Sequence, residues 1–157
     1  MALAPDARLS QNFWLSEFTT SQEATRRGID NTPSPDIITN LRRLAIRAEM
    51  VRALCGGHVM SITSGYRCPA LNAAIGGAPS SDHMKGLAAD FVIRSYGTPF
   101  AICQRIAASE IRFRQVIHEF GRWVHFAIAD AGVEDRRDLL TICSSASGYR
   151  SGLHECP

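Results

Sequence analysis

The sequence predicts an α+β fold, an antiparallel sheet with flanking helices. Three observations carry this reading. Apolar residues recur at three- and four-residue steps from Ile37 to Val51, the mark of one long amphipathic helix. Short apolar runs, Leu87 to Ile93, Gln115 to Phe120 and Trp123 to Ile128, have the length of strands. Helical stretches precede and punctuate these runs rather than alternating with them strictly, which favours an antiparallel arrangement. With 157 residues, and about 100–200 residues to a domain, the chain reads as a flexible leader, 1–11, and a single domain, 12–157.

The elements follow in order. Ser16 and Ser21, each followed by a glutamate, are helix-start signals, and the short helix they open stops at Gly28. Asn31-Thr32-Pro33 turns the chain. Ser34-Pro35-Asp36 then starts the long helix, which ends near Cys55-Gly56-Gly57. A first strand is expected over His58 to Thr63, a loop over Ser64 to Pro69 and a short helix over Ala70 to Ile75. Ala78 to Gly86 is polar and irregular. Leu87 to Ile93 is the second strand, and Pro99 to Ser109 the second long helix. Gln115 to Phe120 and Trp123 to Ile128 form a hairpin around Gly121-Arg122, and Asp138 to Cys143 is one further strand.

Composition narrows the function. Seventeen basic and fifteen acidic residues leave a net charge of +2, too balanced to point to nucleic acid. No apolar run approaches the ~18 residues of a membrane span. Met1 to Phe18 lacks the basic start and apolar core of a secretory signal, so synthesis in the cytoplasm is expected. The five cysteines are odd in number and show no C-x-x-C spacing, which argues against a zinc ribbon or a redox dithiol. Reduced thiols are the default expectation, with a Cys143–Cys156 pair left open.

The chemistry concentrates in Ser81-Asp82-His83-Met84-Lys85-Gly86-Leu87-Ala88-Ala89-Asp90. His83 lies in a polar loop. Asp90 lies in an otherwise apolar strand, where a carboxylate is costly unless it is paired or binds a metal. His125 stands in Trp123-Val124-His125-Phe126, on the strand face opposite Val124 and Phe126. His, Asp and His with an open fourth position is the donor set of a catalytic zinc site, and too rich in nitrogen for calcium or magnesium. A hairpin loop of Gly121 to Trp123 pairs Phe120 with Val124 and sets Glu119 opposite His125, within reach of a water as general base. His118 is the second candidate for that role. Arg67, in the loop after the first strand, is the expected anion binder, able to grip a carboxylate or steady an oxyanion.

These residues carry a resemblance. Ser64-Gly65-Tyr66-Arg67, Asn72, Gly76-Gly77, then S-x-H-x-x-G-x-A-x-D filled by Ser81, His83, Gly86, Ala88 and Asp90, and finally Trp123-Val124-His125, resemble the zinc D-Ala-D-Ala carboxypeptidase family. Asn12-Phe13 to Phe18 and Gly28-Ile29-Asp30-Asn31 are similar to its single-domain, phage-associated members. The likeness runs from about residue 12 to 130. It implies a fold shared with the hedgehog signalling domain and peptidase action on peptidoglycan stem peptides. By position it implies that His83, Asp90 and His125 bind Zn2+, that Arg67 holds a substrate carboxylate or carbonyl, and that Ser81 sits beside the site. Many relatives carry a glutamate three residues before the last histidine. Here Arg122 stands there, and Glu119 is the nearest glutamate.

The expectation is therefore a zinc-dependent peptidase of D-Ala-D-Ala carboxypeptidase type, with Glu119 as base, Arg67 and Ser81 at the substrate and Trp123 walling the cleft. Two alternatives stand beside it. One is an L-alanyl-D-glutamate endopeptidase, an endolysin. The other is a non-catalytic, zinc-containing wall-binding or virion module. A monomer is expected, acting on the cell wall after release as a phage lysin or virion component, with no nucleic-acid partner and no membrane insertion.

Overall fold

The computed structural model describes residues 6–157. Its helices begin where capping residues stand. Two short helices open the chain, α1 (Leu15–Thr19) and α2 (Gln22–Arg27), where one was expected. Ser21 caps α2 by accepting from the Ala24 N–H at 3.2 Å, and Gly28 closes it in the left-handed conformation. Ser34 and Pro35 start α3 (Pro35–Leu54), which buries Leu41, Leu44, Ala45, Ala48 and Val51 along one stripe. Each large side chain so buried contributes about 1.5–3 kcal/mol. Farther on come β1 (Ser61–Ser64), α4 (Pro69–Ala74), a 3₁₀ turn over Asp82–Lys85, β2 (Ala88–Val92) and α5 (Pro99–Ala107). The chain ends with β3 (Gln115–Glu119), β4 (Trp123–Ala127), β5 (Asp138–Ile142) and β6 (Arg150–Ser151).

The fold is α+β, and its sheet is mixed rather than antiparallel throughout. The six strands run β1-β2-β4-β3-β5-β6. β3 and β5 are parallel; the other neighbours are antiparallel. Residues 128–137 carry the chain back along the sheet, so β5 enters in the same sense as β3. Arg137 sets the entry: its backbone N–H donates to the Phe113 carbonyl at 3.0 Å, and its guanidinium donates to the Ala107 and Ser109 carbonyls at 3.1 and 3.0 Å.

The expected leader divides. Residues 1–5 lie outside the described residues. Residues 6–11 are not loose: Leu9 is buried in the core, the Asp6 carboxylate accepts from the Ser16 N–H at 3.0 Å, and Arg8 bridges to Trp14. Among the described residues no helix is long and apolar enough to cross a membrane.

The hairpin register differs from expectation by two residues. Glu119 pairs with Trp123, and Ile117 rather than Glu119 faces His125. The loop is Phe120 to Arg122, because Phe120 and Gly121 both take positive φ, 55° and 66°. A phenylalanine in this conformation is unusual. It is held by its N–H, which donates to the Ile142 carbonyl at 2.6 Å, and by its ring, 5.4 Å from that of Trp123. A shift of two keeps every side chain on its expected face. Val116, Val124, Phe126 and Phe91 pack into the core with α3 and α5. Ile117, Glu119, Asp90 and His125 point the other way, into a cleft.

Cys143 and Cys156 are disulfide-bonded, against the expectation of reduced thiols, while Cys55, Cys68 and Cys103 are free. The pairing of β6 with β5 brings the two ends of the tail together, which local sequence does not reveal.

Candidate metal centre

Antiparallel pairing of β2 with β4 sets Asp90 directly across from His125. On one face of such a pair the two Cβ atoms lie about 4.5–5.5 Å apart. His83 arrives from the 3₁₀ turn. Ser81 caps that turn, its hydroxyl accepting from the His83 N–H at 3.3 Å, and Gly86 ends it at φ 69°. Gly86 lies so close to α3 that a Cβ there would sit 3.0 Å from Ile37. The chain can therefore reverse against α3 and enter β2 within a few residues.

One donor atom from each of His83, Asp90 and His125 lies within 4.8 Å of the others, and all three residues are buried. His125 Nδ1 is 2.9 Å from Asp90 Oδ1 and 3.3 Å from His83 Nε2. His83 Nδ1 lies 2.7 Å from the Gly65 carbonyl. A carbonyl only accepts, so Nδ1 carries the proton and donates. In the neutral ring Nε2 is then bare and faces the other two donors. Burial favours that neutral ring, lowering the His83 pKa against the pull of Asp90. For Asp90, burial pushes upward, but His83 and His125 outweigh it and hold the carboxyl well below the usual carboxylate range. The Arg67 guanidinium donates to Asp90 Oδ2 at 3.0 Å and to Ser64 Oγ at 2.9 Å.

Two imidazole nitrogens, one carboxylate oxygen and an opening toward the cleft fit a divalent transition metal, zinc above all. The hydrogen bond that fixes the His83 tautomer is the kind of outer support such ligands have.

The cleft has a volume of about 450 Å³, and Arg67, Ser81, His83, Asp90, Glu119 and His125 are among its lining. Burial, and then the charge of Asp90, raise the Glu119 pKa. Trp123 Nε1 donates to Glu119 Oε2 at 2.7 Å, leaving Oε1 free of that bond.

Two expected site residues are placed elsewhere. Trp123 does not line the cleft; it holds Glu119. His118 lies on the opposite face of the sheet. It is buried, its Nδ1 donates to the His154 carbonyl at 2.8 Å, and its ring lies 5.4 Å from that of Phe100. One residue shift along a strand reverses the face, so His118 cannot share a side with Glu119. Arg122 is exposed in the hairpin loop.

Sequence reasoning passed over Arg114, which lines the cleft and pairs with Asp82. Tyr149, exposed at the surface, also lines the cleft. No local motif marks either position. Compared with known proteins, the chain matches the family model described as Peptidase M15 over residues 11–127. No curated protein matches it.

Proposed function

Because the chain belongs to the peptidase M15 family, we propose that it is a zinc-dependent peptidase of peptidoglycan stem peptides, acting as a D-Ala-D-Ala carboxypeptidase. The observation that carries this reading is the buried cluster of His83, Asp90 and His125, opening into a cleft that Glu119 and Arg67 also line.

His83, Asp90 and His125 would hold the ion. When bound, zinc supplies Lewis acidity toward water and toward a peptide carbonyl. Glu119 takes the proton of the attacking water at Oε1, while Trp123 steadies Oε2. It later delivers that proton to the departing amine. A carboxyl raised by burial suits a group that must first accept and then give. Arg67, kept in place by Asp90 and Ser64, presents its guanidinium to the terminal carboxylate of the substrate. Ser81 contributes through His83, by fixing the turn that aims the imidazole.

The Cys143–Cys156 disulfide supports work outside the reducing cytoplasm, in keeping with a wall enzyme released as a phage lysin or carried by a virion.

Mass spectrometry of muropeptides before and after treatment with the zinc-loaded protein tests the proposal. Loss of one alanine residue from pentapeptide stems is the expected result. Release of peptide from the L-alanyl end makes the chain an endopeptidase instead. Intact muropeptides after prolonged treatment would leave a non-catalytic wall-binding or virion module.

A further inference from the structure

One wall of the cleft has no part in the steps above. Leu140 and Tyr149 line it, and both lie beyond residue 127, where the family match ends. Tyr149 is 62% exposed, so its ring does not serve the core. Its hydroxyl nevertheless feels the site. Burial, and then the charges of Glu119 and Asp90, raise the phenol's pKa, which keeps it a proton-bearing donor.

The segment that presents Tyr149 is closed at its base. Cys143 and Cys156 are joined, with their Cα atoms 5.2 Å apart. Within the closed segment, β6 pairs with β5, which directly precedes that segment, through Leu140↔Ser151 and Thr141↔Arg150. The buried Thr141 donates its hydroxyl to the Gly152 carbonyl at 2.9 Å and accepts from the His154 N–H at 3.0 Å. Tyr149 directly precedes Arg150, so its backbone is fixed by the first paired residue of β6. Such a loop has little freedom left to lose when a ligand binds, which favours contact through it.

We propose that Tyr149 is a substrate-binding residue, donating its hydroxyl to a carbonyl of the stem peptide, and that the Cys143–Cys156 clasp holds it over the cleft. The proposal rests on the peptidase reading. It adds to it a specificity wall supplied by the chain's C-terminal segment.

The test uses the zinc-loaded full chain and a soluble muropeptide with a complete pentapeptide stem. Tyr149→Phe should raise KM about three- to tenfold, the worth of one hydrogen bond, and leave kcat within about twofold. Replacing both Cys143 and Cys156 by Ser should raise KM at least as far, with zinc content unchanged. Nitration of the wild type, mapped by mass spectrometry, should be blocked by the muropeptide at Tyr149 and not at Tyr96, which lies outside the cleft lining. An unchanged KM in Tyr149→Phe, or equal nitration of Tyr149 with and without muropeptide, overturns the contact. An unchanged KM in the double serine variant overturns the clasp. If the wild type cleaves no muropeptide, the peptidase reading itself fails, and the nitration pattern still decides whether Tyr149 meets the ligand.

Discussion

His118 and His125 sit on neighbouring strands, both buried, and the pleat sends them to opposite sides of the same sheet. His118 faces α5. There it satisfies one ring nitrogen with a backbone carbonyl and lays its ring against Phe100. His125 faces the cleft, against a carboxylate and a second imidazole. The two differ less in burial than in company. Apolar neighbours with one backbone acceptor make a histidine a packing residue. Convergent donors that open onto a cleft suit it to hold an ion.

The contrast can be broken most severely at the ligand. His125→Ala should lose bound zinc and peptide release together, with metal content by mass spectrometry falling from one per chain to none. The parallel change His118→Ala should keep the metal and the activity and lower unfolding stability by about 1–3 kcal/mol, the cost of an orphaned buried acceptor and lost packing. Full zinc occupancy in His125→Ala, or metal loss in His118→Ala, would reverse the assignment of the two faces.

Glu119→Gln sharpens the same line between holding an ion and using it. Peptide release should drop about 10²–10⁴-fold while zinc stays bound. The pH dependence of stability adds a sign. The folded-state pKa of Glu119 is raised, so the stability carried by its neutral form is present below the unfolded-state value and is lost as pH rises through the folded-state value. Metal-free Glu119→Gln should therefore be more stable than the metal-free parent at neutral pH, and the two should converge in acid. Thermal unfolding across pH reads this directly. Parallel curves would show that Glu119 is not strained by its surroundings.

The core side gives the smallest functional effect. Phe126→Ala should cost about 3–5 kcal/mol of stability, measured by denaturant unfolding. Activity per folded molecule should change far less than in either cleft variant, since Phe126 touches only the packed face.

Much of this architecture could be read beforehand, for physical reasons that differ by region. Helices α3 and α5 were legible because caps and three-to-four periodicity are local. The meeting of His83, Asp90 and His125 was foreseeable because a carboxylate in an apolar strand is costly unless paired, and because S-x-H-x-x-G-x-A-x-D and Trp123-Val124-His125 resemble a family's ligand motifs; spacing alone left it open. The hairpin register was not, because nothing about Phe120 announces a left-handed backbone; the loop lies one residue earlier than Gly121 to Trp123, which shifts the cross-strand pairing by two. The parallel entry of β5 and the Cys143–Cys156 bond depend on where distant segments meet, which no local pattern carries. The same holds for Tyr149, whose place in the cleft follows from that entry.

Gly65 illustrates how far the ligand's wiring extends. It offers no side chain, yet its carbonyl decides which nitrogen of His83 is free. The strand end that carries it presses so tightly on the N-terminal segment that a methyl group at this position would fall 2.4 Å from the Phe18 carbonyl oxygen. The first helix thus acts as a buttress behind the carbonyl that orients this imidazole. Remodelling near Phe18 would move the Gly65 carbonyl and with it the hydrogen bond that orients the His83 ring.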